Sequence, residues 1–465
     1  MSMIKTDICI IGAGSGGYAC ALRAAQLGFR VAVVDRREAP GGTCLHIGCI
    51  PSKALLEASH KYEEAKHDLN AFGIHTGKVS FDLNALMAHK NAVIESNVKG
   101  IAFLFKKQGI TWIQGTASIP RAGQVRVGET LYTASHIIIA TGSEPISLPQ
   151  IPIDEERILS STGALSLQTV PKTLCVIGGG YIGLELGCVW QRLGAQVRVI
   201  EYLDRLVPNM DQDISAEMLK ILKKQGIGFD LNTQVIKAER GKKDVKLTLA
   251  PRDNPTQTQD IHTDLVLVAV GRRAFTEGLG LESLGLNTDS QGKIPVNERF
   301  ETSIKGIYAI GDVIAGPMLA HKAQEEGTAL AEYLAGQKPH LNHALIPGVV
   351  YTHPEAAQVG LSEHEAQAQN IPYKIGKFPF SANGRARAMH ATQGFVKLIA
   401  HAHTDQLLGA HIIGAQAGTL ISELTLAMEF SASAEDIART THPHPTLSEI
   451  IKEAALALGD GALHV

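Results

Sequence analysis

Two glycine-rich turns, each set between a strand and a helix, constrain this chain more than any other feature. The first follows residues 4–11 (IKTDICII) as GAGSGG, with Gly12, Gly14 and Gly17 at GxGxxG spacing. Residues 19–27 then read as a helix ended by Gly28, and residues 30–34 as a second strand closing on Asp35. The second turn follows residues 173–177 as GGGYIG, with Gly178, Gly180 and Gly183; a helix over 185–193, Gly194 and a strand over 196–200 lead to Glu201. In such a βαβ unit the first two glycines permit a tight turn and close approach of the backbone to a pyrophosphate. The third lets helix and strand pack, and the helix N-terminus faces the anion. The carboxylate ending the second strand can accept hydrogen bonds from a ribose. One such turn is weak evidence, because glycine-rich turns occur in many folds. Two with complete flanks predict two dinucleotide sites. A tightly bound flavin beside a diffusible nicotinamide would make an electron relay. Glu201 favours NAD over NADP, since a carboxylate repels a 2′-phosphate; Arg198 and Arg205 nearby keep the alternative open.

Residues 41–53, GGTCLHIGCIPSK, place Cys44 and Cys49 five positions apart. In an undistorted helix such a pair lies about 140° apart and rises about 7.5 Å. A disulfide needs Cα atoms roughly 4.4–6.8 Å apart, so the two can join only if the backbone bends. Gly48 supplies permissive dihedrals, and Pro51 suits the first turn of a following helix. A strained, accessible pair is more easily reduced than a structural bridge. Two unpaired thiols remain the plain alternative.

The rest of the composition excludes several classes. A net charge of −3 gives no electrostatic case for nucleic acid or an anionic membrane. No apolar run reaches the length of a membrane span. The early first strand predicts no cleavable signal or transit peptide. Six cysteines in 465 residues do not make a disulfide scaffold. Cys9 and Cys175 on strands, and Cys20 and Cys188 on helices, read as buried small hydrophobes. A reducing, cytoplasmic compartment is expected, where disulfides serve catalysis or redox sensing.

Residues 82–107 carry apolar positions at helical spacing and predict a long amphipathic helix. Residues 135–141 (SHIIIAT) and 265–270 (LVLVAV) are buried strands ending at Gly142 and Gly271, and 306–310 (GIYAI) is another, running into Gly311 and Asp312. Asp312 is either a cap or a partner for a flavin ribityl hydroxyl. Residues 145–152 form a Pro-rich connector, and 250–263 read as a polar surface loop. From about residue 345 the pattern becomes α+β without a nucleotide signature, with strands over 394–400 and 407–413 and helices over 419–430 and 447–458. Near its end THPHPTLSE holds His442, His444 and Glu449. A histidine transfers protons near neutral pH, and a carboxylate fixes its tautomer. Metal binding by the two histidines lacks evident third and fourth ligands.

Together these motifs resemble the flavin-dependent pyridine nucleotide–disulfide oxidoreductases, most nearly their dihydrolipoamide dehydrogenase branch, over essentially the whole chain. The resemblance implies an α/β fold: an FAD-binding domain over 1–148, an NAD-binding domain over 149–272, a segment over 273–344 returning to the FAD domain, and a dimerisation domain over 345–465. It implies that Cys44 and Cys49 form a redox disulfide, with Cys44 exchanging with substrate and Cys49 against the flavin. His444 would be the base and Glu449 its partner; Lys53 and Glu185 match a lysine near flavin N5 and its ion-pair partner. Gly12, Gly14, Gly17, Asp35, Lys53, Ala117, Gly142, Asp312 and Ala320 would hold FAD. Gly178, Gly180, Gly183, Glu201, Val235 and Gly271 would hold NAD+ or NADH, and no metal is expected. The implied reaction is reversible oxidation of protein-bound dihydrolipoamide by NAD+ in an obligate homodimer serving 2-oxo acid dehydrogenase complexes through their lipoyl domains. The rivals are an NADPH-dependent glutathione-type reductase and a non-catalytic structural subunit. His46, Asp35 and Pro443 depart from the usual Asn, Glu and small residue, and remove no group the chemistry needs.

Overall fold

The computed structural model describes residues 3–464 and divides them into two compact α/β units. The described residues of the first unit are 3–54, 84–146 and 271–343; those of the second are 55–83, 147–270 and 344–464.

The first unit is built on a sheet whose order runs Thr111–Gln114, Val31–Asp35, Met3–Ile11, Thr130–Ile139, Gln124–Val127, Ala117–Arg121. Its left half is parallel, with Ile11 beside both Val34 and Ile139. The far end of Thr130–Ile139 also pairs in parallel with Ile307–Ala309, while its near end forms an antiparallel ladder with Gln124–Val127. Ile8, Cys9, Ile10, Val33, Ile137 and Ile138 are fully buried, as near-continuous apolar strands covered on both faces must be. Helix Ser15–Gln26 lies against helix Ala320–Leu334 through small residues: a methyl at Gly327 would lie 2.4 Å from the Gly16 carbonyl oxygen. Arg23 and Glu332 tie the same two helices at 2.6 Å. The predicted long helix spans Leu83–Lys107, but only Met87, Lys90 and Phe105 are buried; Leu104 is exposed.

The second unit repeats the parallel pattern in a five-stranded sheet ordered Gly228–Asp230, Gln196–Ile200, Thr173–Ile177, Leu265–Val268, Ile158–Leu159. Beside it is an antiparallel layer of Thr233–Arg240, Val245–Pro251 and Gln259–Thr263. The expectation of a loop over 250–263 is corrected here. Residues 259–263 form an edge strand whose exposed polar side chains conceal it from an apolar-pattern search. Residues 348–414 supply a five-stranded antiparallel sheet in the order Gly348–Val350, Glu355–Gly360, Leu407–Gly414, Phe395–His401, Tyr373–Pro379. Helices Ala417–Glu429 and Glu449–Leu456 cover it with Ile421, Leu424, Ile450 and Ile451. Buried Lys397 meets Asp211 at 2.9 Å, Glu363 at 2.7 Å and Asp213 at 3.1 Å. Burial opposes its charge, yet these carboxylates push its pKa up to about 12. Cys9, Cys20, Cys175 and Cys188 are all buried, and burial pushes each thiol up.

Candidate active site

In the first unit the strand Met3–Ile11 delivers the chain to Gly12, whose φ of +104° suits glycine alone. A Cβ there would lie 2.3 Å from the Ala140 carbonyl oxygen, and one at Gly17 would lie 1.9 Å from that of Gly12. Gly14 is different: its Cβ position lies 3.9 Å from Gly42 Cα, an ordinary contact and not a clash. It is the N-cap of helix Ser15–Gln26, and no side chain caps it. The first-turn N–H groups therefore remain for an anion. Buried Asp35 accepts the Ala13 N–H at 2.8 Å on one oxygen and the Arg37 N–H at 2.9 Å on the other. A carboxylate oxygen has two lone pairs, so ribose hydroxyls can still bind.

The second unit reproduces this geometry. At Gly178, with φ +108°, a Cβ would lie 2.4 Å from the Ala269 oxygen, and at Gly183 it would lie 2.2 Å from the Gly178 oxygen. Nothing lies within 4 Å of the Gly180 position, and Gly180 caps helix Tyr181–Arg192 without a side-chain bond. Glu201 accepts the Gly179 N–H at 2.6 Å and the Leu203 N–H at 2.7 Å. Arg198 is paired with Asp230 on the neighbouring strand, and Arg205 bonds the Pro208 carbonyl at 3.3 Å. Val235 is buried in this unit's core, just beyond Thr233, whose N–H bonds the Glu201 carbonyl at 3.0 Å. Gly271 falls in the first unit, where its carbonyl accepts the Ile146 N–H.

The remaining positions expected to hold the flavin also lie in the first unit. Gly142, φ +73°, has open space at its Cβ position, and its carbonyl accepts the Phe275 N–H. Ala117 is buried at the start of its strand, two residues past Gly115, whose N–H bonds the Asp35 carbonyl. Asp312 accepts the Ser143 hydroxyl, and Ser143 in turn takes Arg272 Nε at 2.7 Å. Ala320 opens helix Ala320–Leu334, whose N-cap Leu319 offers no side-chain bond. Sequence reasoning missed Ser143 and the role of Arg272, because neither belongs to a local pattern.

The cysteine segment joins this site directly. The Gly41 N–H bonds the Ala13 carbonyl at 2.8 Å, and a methyl at Gly42 would lie 2.4 Å from Gly14 Cα. Short helix Gly42–Ile47 carries Cys44; Gly48 then breaks the path at φ −142°, ψ −116°, and helix Cys49–Glu63 begins. A methyl on Gly48 would sit 3.0 Å from Cys44 Cα. The bend brings the two side chains into hydrogen-bond contact, both as thiols in this structure and both half-buried. That bond to Cys49, with burial second, pushes the Cys44 thiol up. Lys53 lies one turn after Cys49 on the same helix. His46 bonds the Pro40 carbonyl at 3.1 Å, away from nucleophile chemistry.

In the second unit His444 Nδ1 meets Glu449 Oε1 at 2.8 Å, and Glu449 Oε2 accepts the Thr446 N–H at 2.8 Å. Burial opposes it, but the Thr446 N–H and His444 hold the Glu449 carboxyl below the ordinary glutamate value. His442 has other work: its Nε2 meets Glu423 at 2.8 Å and its Nδ1 the Thr440 carbonyl at 3.0 Å. Glu185 is buried in helix Tyr181–Arg192 and accepts the Tyr351 N–H at 3.1 Å.

Two uncapped helix starts with glycine openings, two carboxylates at strand ends and the Asp312 cluster fit two dinucleotides. The chain belongs to the pyridine nucleotide-disulphide oxidoreductases: residues 6–327 match that family and residues 346–455 match its dimerisation domain. It is an oxidoreductase with FAD and NAD(H) as cofactors. Within the family it is 49% identical to the mitochondrial dihydrolipoyl dehydrogenase of Pisum sativum, over 99% of this chain and 93% of that protein. It is equally 49% identical to dihydrolipoyl dehydrogenase 3 of Pseudomonas putida, over 100% of both. Among solved structures, LpdA from Mycobacterium tuberculosis superimposes with a TM-score of 0.89 at 25% identity, over 97% of this chain and 99% of that one. Among the described residues no helix is long and apolar enough to cross a membrane.

Proposed function

We propose that this chain is a dihydrolipoyl dehydrogenase, reversibly oxidising protein-bound dihydrolipoamide to lipoamide with NAD+ as final acceptor. The observation that carries this is the Cys44–Cys49 pair folded onto the first nucleotide turn, with Gly42 against Gly14. The named relatives support the substrate, and Glu201 with Arg198 occupied by Asp230 supports NAD rather than NADP.

In the forward direction the cysteines start as a disulfide. His444 takes a proton from one substrate thiol, with Glu449 orienting the imidazole and stabilising its charge. The thiolate attacks Cys44 Sγ, and Cys49 leaves as a thiolate. The second substrate thiol passes its proton to Cys44 as it displaces that sulfur and closes the lipoamide disulfide, leaving Cys44 as a thiol. The cysteine pair now holds two electrons. The hydrogen bond to Cys49, with burial second, pushes the Cys44 thiol up and so supports Cys44 as the sulfur that carries the proton. Gly12, Gly14, Asp35, Gly142, Asp312 and Ala320 would hold FAD, which would supply two-electron chemistry between the cysteine pair and the nicotinamide, and Gly178, Gly180, Gly183 and Glu201 would hold NAD+. Lys53, one turn after Cys49, would favour negative charge at the flavin.

The dimerisation domain supports a homodimer in which His444, 80% exposed at its side chain, serves the partner's cysteines. Lipoyl domains of 2-oxo acid dehydrogenase complexes are the expected carriers. The buried, unpaired outlying thiols agree with a reducing, cytoplasmic setting.

The test is anaerobic titration with dihydrolipoamide, followed by visible absorbance. A long-wavelength band at two electrons, discharged by NAD+ and not by NADP+, is expected. No reduction by dihydrolipoamide, with reduction by NADPH and turnover of glutathione, would overturn the proposal.

A further inference from the structure

We propose that Lys322 and Glu326 are positioning residues for the flavin: a buried ion pair that holds Gly311 by both its N–H and its carbonyl and so sets the Asp312 carboxylate. The inference rests on the reading of Asp312 and Ala320 as flavin contacts.

The two side chains lie one turn apart on helix Ala320–Leu334, 2.9 Å from each other, and both are 0% exposed. Glu326 Oε2 accepts the Gly311 N–H at 2.8 Å, while Lys322 Nζ donates to the Gly311 carbonyl at 3.0 Å. The backbone of one residue is thus held at its N–H by the anion and at its carbonyl by the cation, fixing the peptide groups on both sides of it. Gly311 has φ +77°, and a methyl there would lie 3.2 Å from Ala323 Cβ. The turn continues over the lysine stem, since a methyl at Gly316 would lie 3.1 Å from Lys322 Cε. His343 Nε2 adds a third contact to Glu326, at 3.0 Å on Oε1.

Asp312 follows directly. Its backbone is anchored through Gly311 to the helix, and its carboxylate to Ser143 and, through Ser143, to Arg272. The same helix begins at Ala320, so the aspartate and the helix N-terminus ride on one body. A buried ion pair is poor evidence for stability as such, because desolvating two charges offsets much of their attraction, and apolar replacements of similar size are often no less stable. What apolar residues could not do is hold one residue by both its N–H and its carbonyl. The arrangement is therefore one of geometry.

The experiment compares the FAD-loaded wild type with Lys322→Met/Glu326→Leu and with Lys322→Met/Glu326→Gln. Both variants remove the charges together, leaving neither buried and unpaired. FAD release rate, visible circular dichroism of the bound flavin, and thermal midpoints with and without FAD are read. The Met/Leu variant is expected to release FAD at least tenfold faster, with altered visible dichroism and a smaller gap between loaded and FAD-free midpoints. The Met/Gln variant keeps an acceptor for the Gly311 N–H and should fall between; it serves as the test if the other does not fold. Unchanged release and dichroism would overturn the inference, as would equal falls in both midpoints. A wild type that takes up no FAD would overturn the flavin reading itself, and this inference with it.

Discussion

His444 Nδ1 lies 2.8 Å from Glu449 Oε1, and the second oxygen of that carboxylate is already fixed by the Thr446 N–H. The backbone sets the carboxylate, the carboxylate sets the ring, and Nε2 is the nitrogen left to take a proton. Replacing His444 by Gln should slow dihydrolipoamide oxidation by about 10²–10⁴-fold, the usual range for losing a general base. NADH-driven reduction of an artificial acceptor should stay within a factor of two or so, because it bypasses dithiol deprotonation. Steady-state rates of both reactions check this; equal losses would remove His444 from the base role.

The cysteine pair predicts an asymmetry between two single variants. Cys44→Ser and Cys49→Ser should both abolish dithiol oxidation, because each breaks the exchange sequence. Only Cys44→Ser leaves the sulfur assigned to the flavin, so it alone should show a long-wavelength absorbance as Cys49 ionises with rising pH. A band in Cys49→Ser instead would reverse the assignment.

The second glycine turn separates folding from binding within three residues. At Gly183 a methyl would collide with the Gly178 oxygen at 2.2 Å, whereas at Gly180 it would meet nothing within 4 Å. Gly183→Ala should therefore lower stability by about 1–3 kcal/mol, as overpacking does. Gly180→Ala should leave the thermal midpoint nearly unchanged and raise KM for NADH roughly tenfold, by blocking close approach of the pyrophosphate. A normal KM in Gly180→Ala would refute the placement of the nucleotide.

His411 predicts a pH dependence. It is fully buried, with Nε2 3.0 Å from the Leu361 carbonyl, and Asp211, Glu365 and Lys397 surround it. Burial is the main cause holding its pKa below the ordinary 6.5, opposed by Asp211 and the Leu361 bond and aided by Lys397. As pH falls through about 6.5 the unfolded chain takes up a proton that the native one refuses. Stability should drop below that pH by up to about 1.4 kcal/mol per pH unit from this group, and its contribution is fully present above it. Urea midpoints between pH 8 and 5 should show a shallower slope in His411→Phe; identical slopes would exclude His411 as the source.

Cofactor choice rests on Glu201, since Arg198 is engaged by Asp230. Glu201→Ser should raise KM for NADH about tenfold and improve relative use of NADPH, through loss of the repulsion between carboxylate and 2′-phosphate. Initial rates with both nucleotides decide it; unaltered preference would place the discrimination elsewhere.

Much of this was legible because it is local. Gly12, Gly17, Gly178 and Gly183 are spaced by the turn they make: a Cβ at Gly17 or Gly183 would strike the carbonyl oxygen of the turn's own first glycine, while one at Gly12 or Gly178 would strike that of Ala140 or Ala269 on a neighbouring segment. Gly48 was readable as the bend between Cys44 and Cys49. The edge strand Gln259–Thr263 was not, since its exposed face carries polar side chains and leaves no apolar alternation. The amphipathic pattern over 82–107 predicted the helix but not its exposure, because periodicity reports which residues share a face and not what covers that face.

The sequence by itself determined the two nucleotide turns, their acidic termini, the cysteine bend and the His–Glu pairing, all set by residues within a few turns of chain. Tertiary structure alone decided the seating of Gly42 on Gly14, the Asp312–Ser143–Arg272 chain and the Lys322–Glu326 grip on Gly311. Ser143 stands 169 positions from Asp312 and 129 from Arg272. Hydrogen bonds across such separations form because Arg272–Ala274 pairs antiparallel with Ser143–Pro145, and Ile307–Ala309 pairs in parallel with the end of Thr130–Ile139, bringing those segments side by side; no local spacing encodes which donor will meet which acceptor.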